Sequence, residues 1–287
     1  MLYYVIPKLA SDNYGESGWA SAFIAAQGKT ALPVLLEHLK LKDKGLRRSI
    51  IYTLGDMGNQ DVTESLLPFL QHPGLVDMTC VALGKLKDKR AVPALLKLTD
   101  SKEFHESASM RKLLSVALGN IADQQAIPHL INNLDDEFFW VRYPAEKALI
   151  QIGEPAVPAL LDVVKANRFP ASAHAIEALG RISAKGGSAS GGKSQNDAVY
   201  DVLVKGLENT DWAMRGFAVE ALGDLGPIRS KPVPETSRER TSNGVDNTDI
   251  LQVLELLKRT EKHPFVLNKI GWAVNKLTNP APVETPK

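Results

Sequence analysis

A short apolar element recurs along this chain. It reads Thr53-Leu54-Gly55, Ala82-Leu83-Gly84, Ala117-Leu118-Gly119, Ala148-Leu149-Ile150, Ala178-Leu179-Gly180 and Ala221-Leu222-Gly223. Its leucines stand at 54, 83, 118, 149, 179 and 222, so the first four steps are 29, 35, 31 and 30 residues. A period near 30 holds two short helices and two tight turns, and a piece that small cannot bury an apolar face alone, so it must stack on its neighbours. A second element alternates with the first: Ala31-Leu32-Pro33, Ala91-Val92-Pro93, Ala126-Ile127-Pro128 and Ala156-Val157-Pro158, each leading an apolar run. Proline is tolerated in the first turn of a helix, where its missing amide has no intrahelical partner to lose. In the helix that follows, Val141, Ala145, Ala148, Leu149 and Ile152 form one apolar stripe at helical spacing. The pattern predicts an all-α chain, an α-α superhelix of about seven and a half helical pairs.

Two steps break the rhythm. From Leu179 to Leu222 the interval is 43 residues and holds a Gly/Ser-rich run, and from Leu222 to Val274 it is 52 and holds a Pro/Ser/Thr/Arg-rich run. Long insertions at surface turns add little closure cost. The organisation predicted is therefore a single array over residues 1–278, with loop insertions at 184–194 and 227–249, and a disordered tail at 279–287. The repeat from Asp61 to Asp88 is short and carries Val76 where others carry arginine, which suggests a bend.

Composition narrows the chemistry. With 34 Lys+Arg against 33 Asp+Glu there is no global field toward nucleic acid or an anionic surface. No apolar run approaches a membrane span, and the single cysteine, Cys80, excludes a disulfide scaffold and a thiolate metal site. These features predict a cytoplasmic protein. Cys80 has no nearby cation in sequence to stabilise a thiolate and reads as a packed residue. Residues 187–194 fit the phosphate-loop pattern Gly-x-x-x-x-Gly-Lys-Ser, but they follow a repeat helix rather than a strand and read as a linker. Of the six histidines only His105 is followed by glutamate, so no metal site is predicted. His38 and His129 read as exposed helix positions, and His72, His105 and His263 as surface or turn residues.

One copy of the repeat carries the fullest pattern, Asp136-Glu137-Phe138-Phe139-Trp140-Val141-Arg142-Tyr143-Pro144-Ala145-Glu146-Lys147-Ala148-Leu149. An acidic turn, a Val-Arg-x-x-Ala-x-x-Ala-Leu helix and a glycine-containing exit, after a proline-started helix, resemble the HEAT-like repeat of the phycobilisome lyase family from Gly18 to Leu277. That resemblance implies a bilin lyase subunit or a bilin-handling chaperone. It also implies an open-chain tetrapyrrole as substrate rather than a tightly bound cofactor, a phycobiliprotein subunit as partner and, in some members, a second HEAT-like repeat subunit. The other function in view is a non-enzymatic adaptor that binds a protein or peptide on its concave face.

Aligning the repeats by their alanine yields the candidate contact residues. Arg47, Arg111, Arg142 and Arg215 share one column, read mainly as a ladder tying successive turns and secondarily as ligand contacts. Two further columns fall on the face expected to be exposed. One runs through Arg48, Asp77, Lys112, Tyr143, Ala173, Gly216 and Asn268, the other through Tyr52, Val81, Val116, Lys147, Glu177, Glu220 and Trp272. Cations interleaved with aromatics suit a flat conjugated ligand bearing carboxylates. The ligand-contact set predicted is Trp140, Arg142, Tyr143 and Lys147, with Arg48, Tyr52, Lys112, His174, Trp212, Arg215 and Trp272. For Trp140 and Trp212 the alternative is that each indole covers the gap between adjacent repeats. No catalytic residue is assigned.

Overall fold

A computed structural model describes residues 1–186, 193–225 and 250–279, and among these there are helices and turns but no strand. The all-α repeat class is therefore established. The insertion at 227–249 and most of the 279–287 tail lie outside the described residues, as does the centre of the 184–194 insertion. At the margins of the latter, helix Ala171–Gly186 runs to its end and helix Lys193–Gly206 begins, so the break is shorter than the composition suggests.

Each repeat contributes a first helix, a turn and a second helix, which is the longer of the two except where Lys193–Gly206 equals Trp212–Leu225 in length. Pro33, Pro93, Pro128 and Pro158 all sit in the first turn of the helices Leu32–His38, Val92–Leu96, Ile127–Asn133 and Val157–Ala166. The second helices are Lys44–Met57, Val76–Leu86, Ala108–Ile121, Phe139–Ile152, Ala171–Gly186, Trp212–Leu225 and Pro264–Thr278. With helix Tyr14–Ala26 ahead of them, these make up the expected seven and a half pairs. The exits recur too. Gly58, Lys87, Ala122 and Gly153 all take positive φ just after a second helix, and Asn59, Asp88 and Asp123 then accept a bond from the amide two residues on.

The backbone separates into two compact units, Met1–Ile152 and Gly153–Lys287, where the sequence pattern marks no boundary. Within each unit the same contact builds the core. A Cβ placed on Gly55 would lie 2.7 Å from Ala82 Cα, on Gly84 2.9 Å from Ala117 Cα, and on Gly119 2.9 Å from Ala148 Cα. In the C-terminal unit the corresponding contacts join Gly180 to Ala221 at 2.7 Å and Gly223 to the Cβ of Ala273 at 2.9 Å. The Ala-Leu-Gly element is thus a stacking code: the glycine of one second helix admits the alanine of the next, and the leucine between them, such as Leu83 or Leu118, is fully buried. The division between units follows the helix whose glycine position holds Ile150.

Candidate functional site: an exposed aromatic and cationic face

The arginine column resolves first, because it consists of turn ties. Arg47 donates to the carbonyls of Leu39 at 3.0 Å and Lys40 at 3.3 Å, and Arg142 to those of Asp136 at 2.8 Å and Glu137 at 3.0 Å. Arg111 donates to the His105 carbonyl at 2.7 Å and reaches forward to the Asp136 carboxylate at 2.6 Å. Arg215 repeats this with the Asn209 carbonyl at 2.9 Å and Glu261 at 2.7 and 3.0 Å. Ser172, in the same column, does the job with a hydroxyl by donating to the Val163 carbonyl at 3.0 Å. Each side chain caps the end of a first helix and fixes the turn that follows. For Arg142 and Arg215 the ladder reading holds, and their guanidiniums are engaged inside the fold.

In the N-terminal unit the exposed columns divide into a stitched part and an open part. Arg48 grips Asp77 with two bonds of 2.9 and 2.6 Å, which holds the Asp77 carboxyl below its ordinary value and raises Arg48. Lys85 pairs with Asp56 at 2.5 Å while lying 4.0 Å from the centre of the Tyr52 ring. Arg48 is thus spoken for by the neighbouring helix, whereas Tyr52 stays 42% exposed with a lysine over its ring. Further along, Lys112, Val116, Tyr143 and Lys147 are exposed. The Lys147 ammonium lies 4.9 Å from the Tyr143 ring, and Phe139 stacks on Tyr143 at 5.8 Å. Trp140 stacks on Phe138 at 4.6 Å and yet is 51% exposed, and Phe139 is 57% exposed. An open aromatic surface of this unit therefore rises from the first turns of helix Phe139–Ile152.

The C-terminal unit uses its aromatics differently. Trp212 lies flat on His263 with ring centres 4.2 Å apart and meets Phe265 edge-on at 5.4 Å, so it bridges two repeats. The Phe265 ring occupies the notch at Gly216, where a Cβ would be 2.5 Å from it, and the Trp272 ring rests on Gly223 at 2.8 Å in the same sense. Lys276 lies 4.8 Å over Trp272 and pairs with Asp224. Gly216, expected to be exposed, is buried beneath Phe265, and Ala173 is buried as well. His174 sits half-buried near the start of helix Ala171–Gly186. Trp212, Arg215, Trp272 and His174 belong to this unit, Trp140, Tyr143, Lys147 and Lys112 to the other.

Neither of the two histidines expected at exposed helix positions is exposed: His38 is buried and His129 half-buried. His38 Nδ1 donates to the Val34 carbonyl at 2.8 Å. His129 Nε2 accepts from Asn133 Nδ2 at 3.1 Å, and the same nitrogen donates to Ser115 Oγ at 2.9 Å. Burial pushes His129 down to about 4. The native state therefore holds a neutral imidazole that the unfolded chain protonates, so stability is complete above the ordinary histidine pKa of about 6.5 and declines as pH falls toward 4. We expect thermal melts to show a loss of about 2 kcal/mol between pH 7 and pH 4 from this group, absent in His129→Gln.

Cys80 is buried and its thiol is pushed up to about 12 by desolvation, so it stays protonated. Glu146 is a residue that the repeat pattern does not single out. It is fully buried in the column that elsewhere holds Ile51, Cys80 and Ser115, and a carboxylate where other repeats carry small or apolar groups was the available signal.

Comparison with known proteins addresses the architecture. The HEAT-repeat family matches residues 32–106, 71–150 and 104–180, a continuous stretch of just over half the chain. The chain belongs to the HEAT-repeat family. None of the curated proteins matches it in sequence. Among solved structures this HEAT-repeat chain is similar to an engineered protein at 20% identity, covering 97% of this chain and 78% of that one with a TM-score of 0.49. It is also similar to the complex of CpcE and CpcF of phycocyanin lyase from Nostoc sp. PCC7120, at 21% identity, 78% and 94% coverage and a TM-score of 0.46. Human deoxyhypusine hydroxylase aligns at 15% identity over 96% of each chain, with a TM-score of 0.36. Likeness at this level concerns helical architecture and says nothing of chemistry. No helix among the described residues is long and apolar enough to cross a membrane.

Proposed function

We propose that this HEAT-repeat chain is a binding scaffold whose contact surface is the open aromatic and cationic face of its N-terminal unit. The specific role we propose is that of a phycobilin lyase subunit or bilin chaperone. The observation that carries it is the cluster of Phe139, Trp140 and Tyr143, which stays exposed with Lys147 over a ring while neighbouring columns are stitched by ion pairs. Such a surface suits a flat conjugated ligand, with pyrrole rings against Trp140 or Tyr143 and propionates at Lys147 and Lys112. The chain would act by positioning, and the thiol that forms the thioether would belong to the acceptor phycobiliprotein. A buried, protonated Cys80 accords with that division of labour.

The adaptor reading is favoured by one observation. Arg48, Arg142 and Arg215, the strongest carboxylate binders of the predicted set, already serve the fold. Adding phycocyanobilin or phycoerythrobilin to the purified chain separates the two readings. A saturable change in the visible absorption of the pigment is the result expected of a bilin scaffold, and an unchanged spectrum at roughly 100 μM of both components would favour the adaptor.

A further inference from the structure

We infer that two copies of this chain pair antiparallel through the open face of helix Tyr14–Ala26, the first long helix of the N-terminal unit. The helix packs by one side only. Ala20 and Ile24 are buried, Ser21 Oγ meets Thr53 Oγ1 of helix Lys44–Met57 at 3.4 Å, and the short helices Leu2–Val5 and Ile6–Ala10 add Val5, Ile6 and Leu9 to the same core. On the other side Tyr14, Gly18, Trp19, Ala22 and Ala25 are all exposed. At 3.6 residues per turn these positions fall in one arc of about 140°.

That arc carries no charge. Glu16, the only charged residue of the helix, is held outside it by Lys8 and by Ser11 at 2.7 Å. Tyr14 is 94% exposed and Trp19, stacked on Phe23 at 5.6 Å, is 52% exposed. Tyr4, whose ring lies 5.0 Å from the Lys8 ammonium, adjoins this face and is 71% exposed. A helix apolar on every side belongs in an interior, and among the described residues nothing covers this one.

Size and shape favour a second copy as the cover. At about 200 Å² for a whole aromatic side chain, the three rings leave roughly 400 Å² in solvent, and the helix presents a strip about 20 Å long and about 14 Å wide. Together they approach the roughly 800 Å² per partner of a standard interface. The strip is bulky at its start, where Tyr14 stands, and small at its end, where Ala25 follows Ala22. A copy turned about a two-fold axis sets Tyr14 over the partner's Ala25 and Gly18 against the partner's Ala22, and symmetry makes the same contact twice. A Cβ on Gly18 would meet nothing within 4 Å, so the backbone there is open to an axis about 8 Å away. An uncharged face opposes no like charges in such a pair, and a strongly charged partner would find nothing on it to match. Stacking on helix Pro264–Thr278 of another copy is disfavoured, because its exposed stripe holds Asn268 and Asn275 where this face holds alanines.

Light scattering after size exclusion, at roughly 50 μM chain, reads the stoichiometry. The unmodified chain should be a dimer in low and in high salt alike, since the interface is apolar. Ala22→Glu with Ala25→Glu should be monomeric, with dimer affinity lowered at least about a hundredfold and native helicity by circular dichroism, because both side chains are in solvent. Tyr14→Ser alters a single exposed ring at the helix start and should weaken the dimer at least about tenfold without touching the core. A monomeric unmodified chain would overturn the inference and leave this face to a different protein. Assemblies larger than a dimer, or a folded double variant that still dimerises, would overturn it as well. The face shares no residue with the ligand surface on helix Phe139–Ile152, so Tyr143→Ala with Lys147→Ala should dimerise like the unmodified chain, and failure of either proposal leaves the other standing.

Discussion

Gly84→Ala should cost about 2 kcal/mol of folding stability, whereas Gly271→Ala should add about 0.5–1 kcal/mol. Both positions lie inside second helices, where alanine is the better helix former by roughly the second figure. What separates them is the neighbour. At Gly84 the new methyl would stand 2.9 Å from Ala117 Cα, a backbone atom that moves only if the whole helix moves. At Gly271 there is nothing within 4 Å. Urea denaturation of the two variants reads the difference directly, and effects of the same sign would show that the glycine column is not what sets the helix spacing.

The second large effect is expected at Arg215. The Glu261 side chain that it holds is only 3% exposed, and the guanidinium keeps that carboxyl down at about 2. Arg215→Ala strands a buried carboxylate and should destabilise the C-terminal unit by about 3 kcal/mol, and adding Glu261→Gln should recover much of the loss. The pH dependence follows from the direction of the shift. A carboxyl depressed in the folded state contributes its stability above the unfolded value of about 4.5 and loses it as pH falls toward 2, because the unfolded chain takes up the proton first. Arg215→Ala should therefore flatten the acid limb of the stability profile between those values. An unaltered limb would mean that the pair is not coupled as its geometry implies.

Helical class, pairing and repeat number were legible because they are written many times over: four proline-started helices, five copies of the alanine–leucine element and one threonine–leucine variant repeat the same instruction. The purpose of the glycine in that element was not legible. Its contact lies with an alanine one repeat away, and only coordinates show that a side chain between Gly55 and Ala82 would collide with backbone. The site was less legible than the fold for the same reason. Column position predicted that Arg48 and Tyr143 share a face, but Arg48 is taken by Asp77, 29 residues on, while Tyr143 stays open. Gly216 was expected in solvent because its column is exposed elsewhere, and the Phe265 ring that covers it belongs to the next second helix. His129, half-buried, was misplaced because a polar residue on a short helix reads as surface until Asn133 and Phe104 are seen beside it.

The central claim is that the open face of helix Phe139–Ile152 binds the partner, and Tyr143→Ala combined with Lys147→Ala tests it most directly. Both side chains project from the exposed side of the helix, and neither takes part in the turn ties or the glycine column, so helicity and melting temperature should hardly change. Binding of bilin, or of a phycobiliprotein subunit, measured by titration against the unmodified chain, should weaken by more than about tenfold, close to 1.4 kcal/mol. Affinity that is unchanged in this folded variant would contradict the account and remove the site from this face.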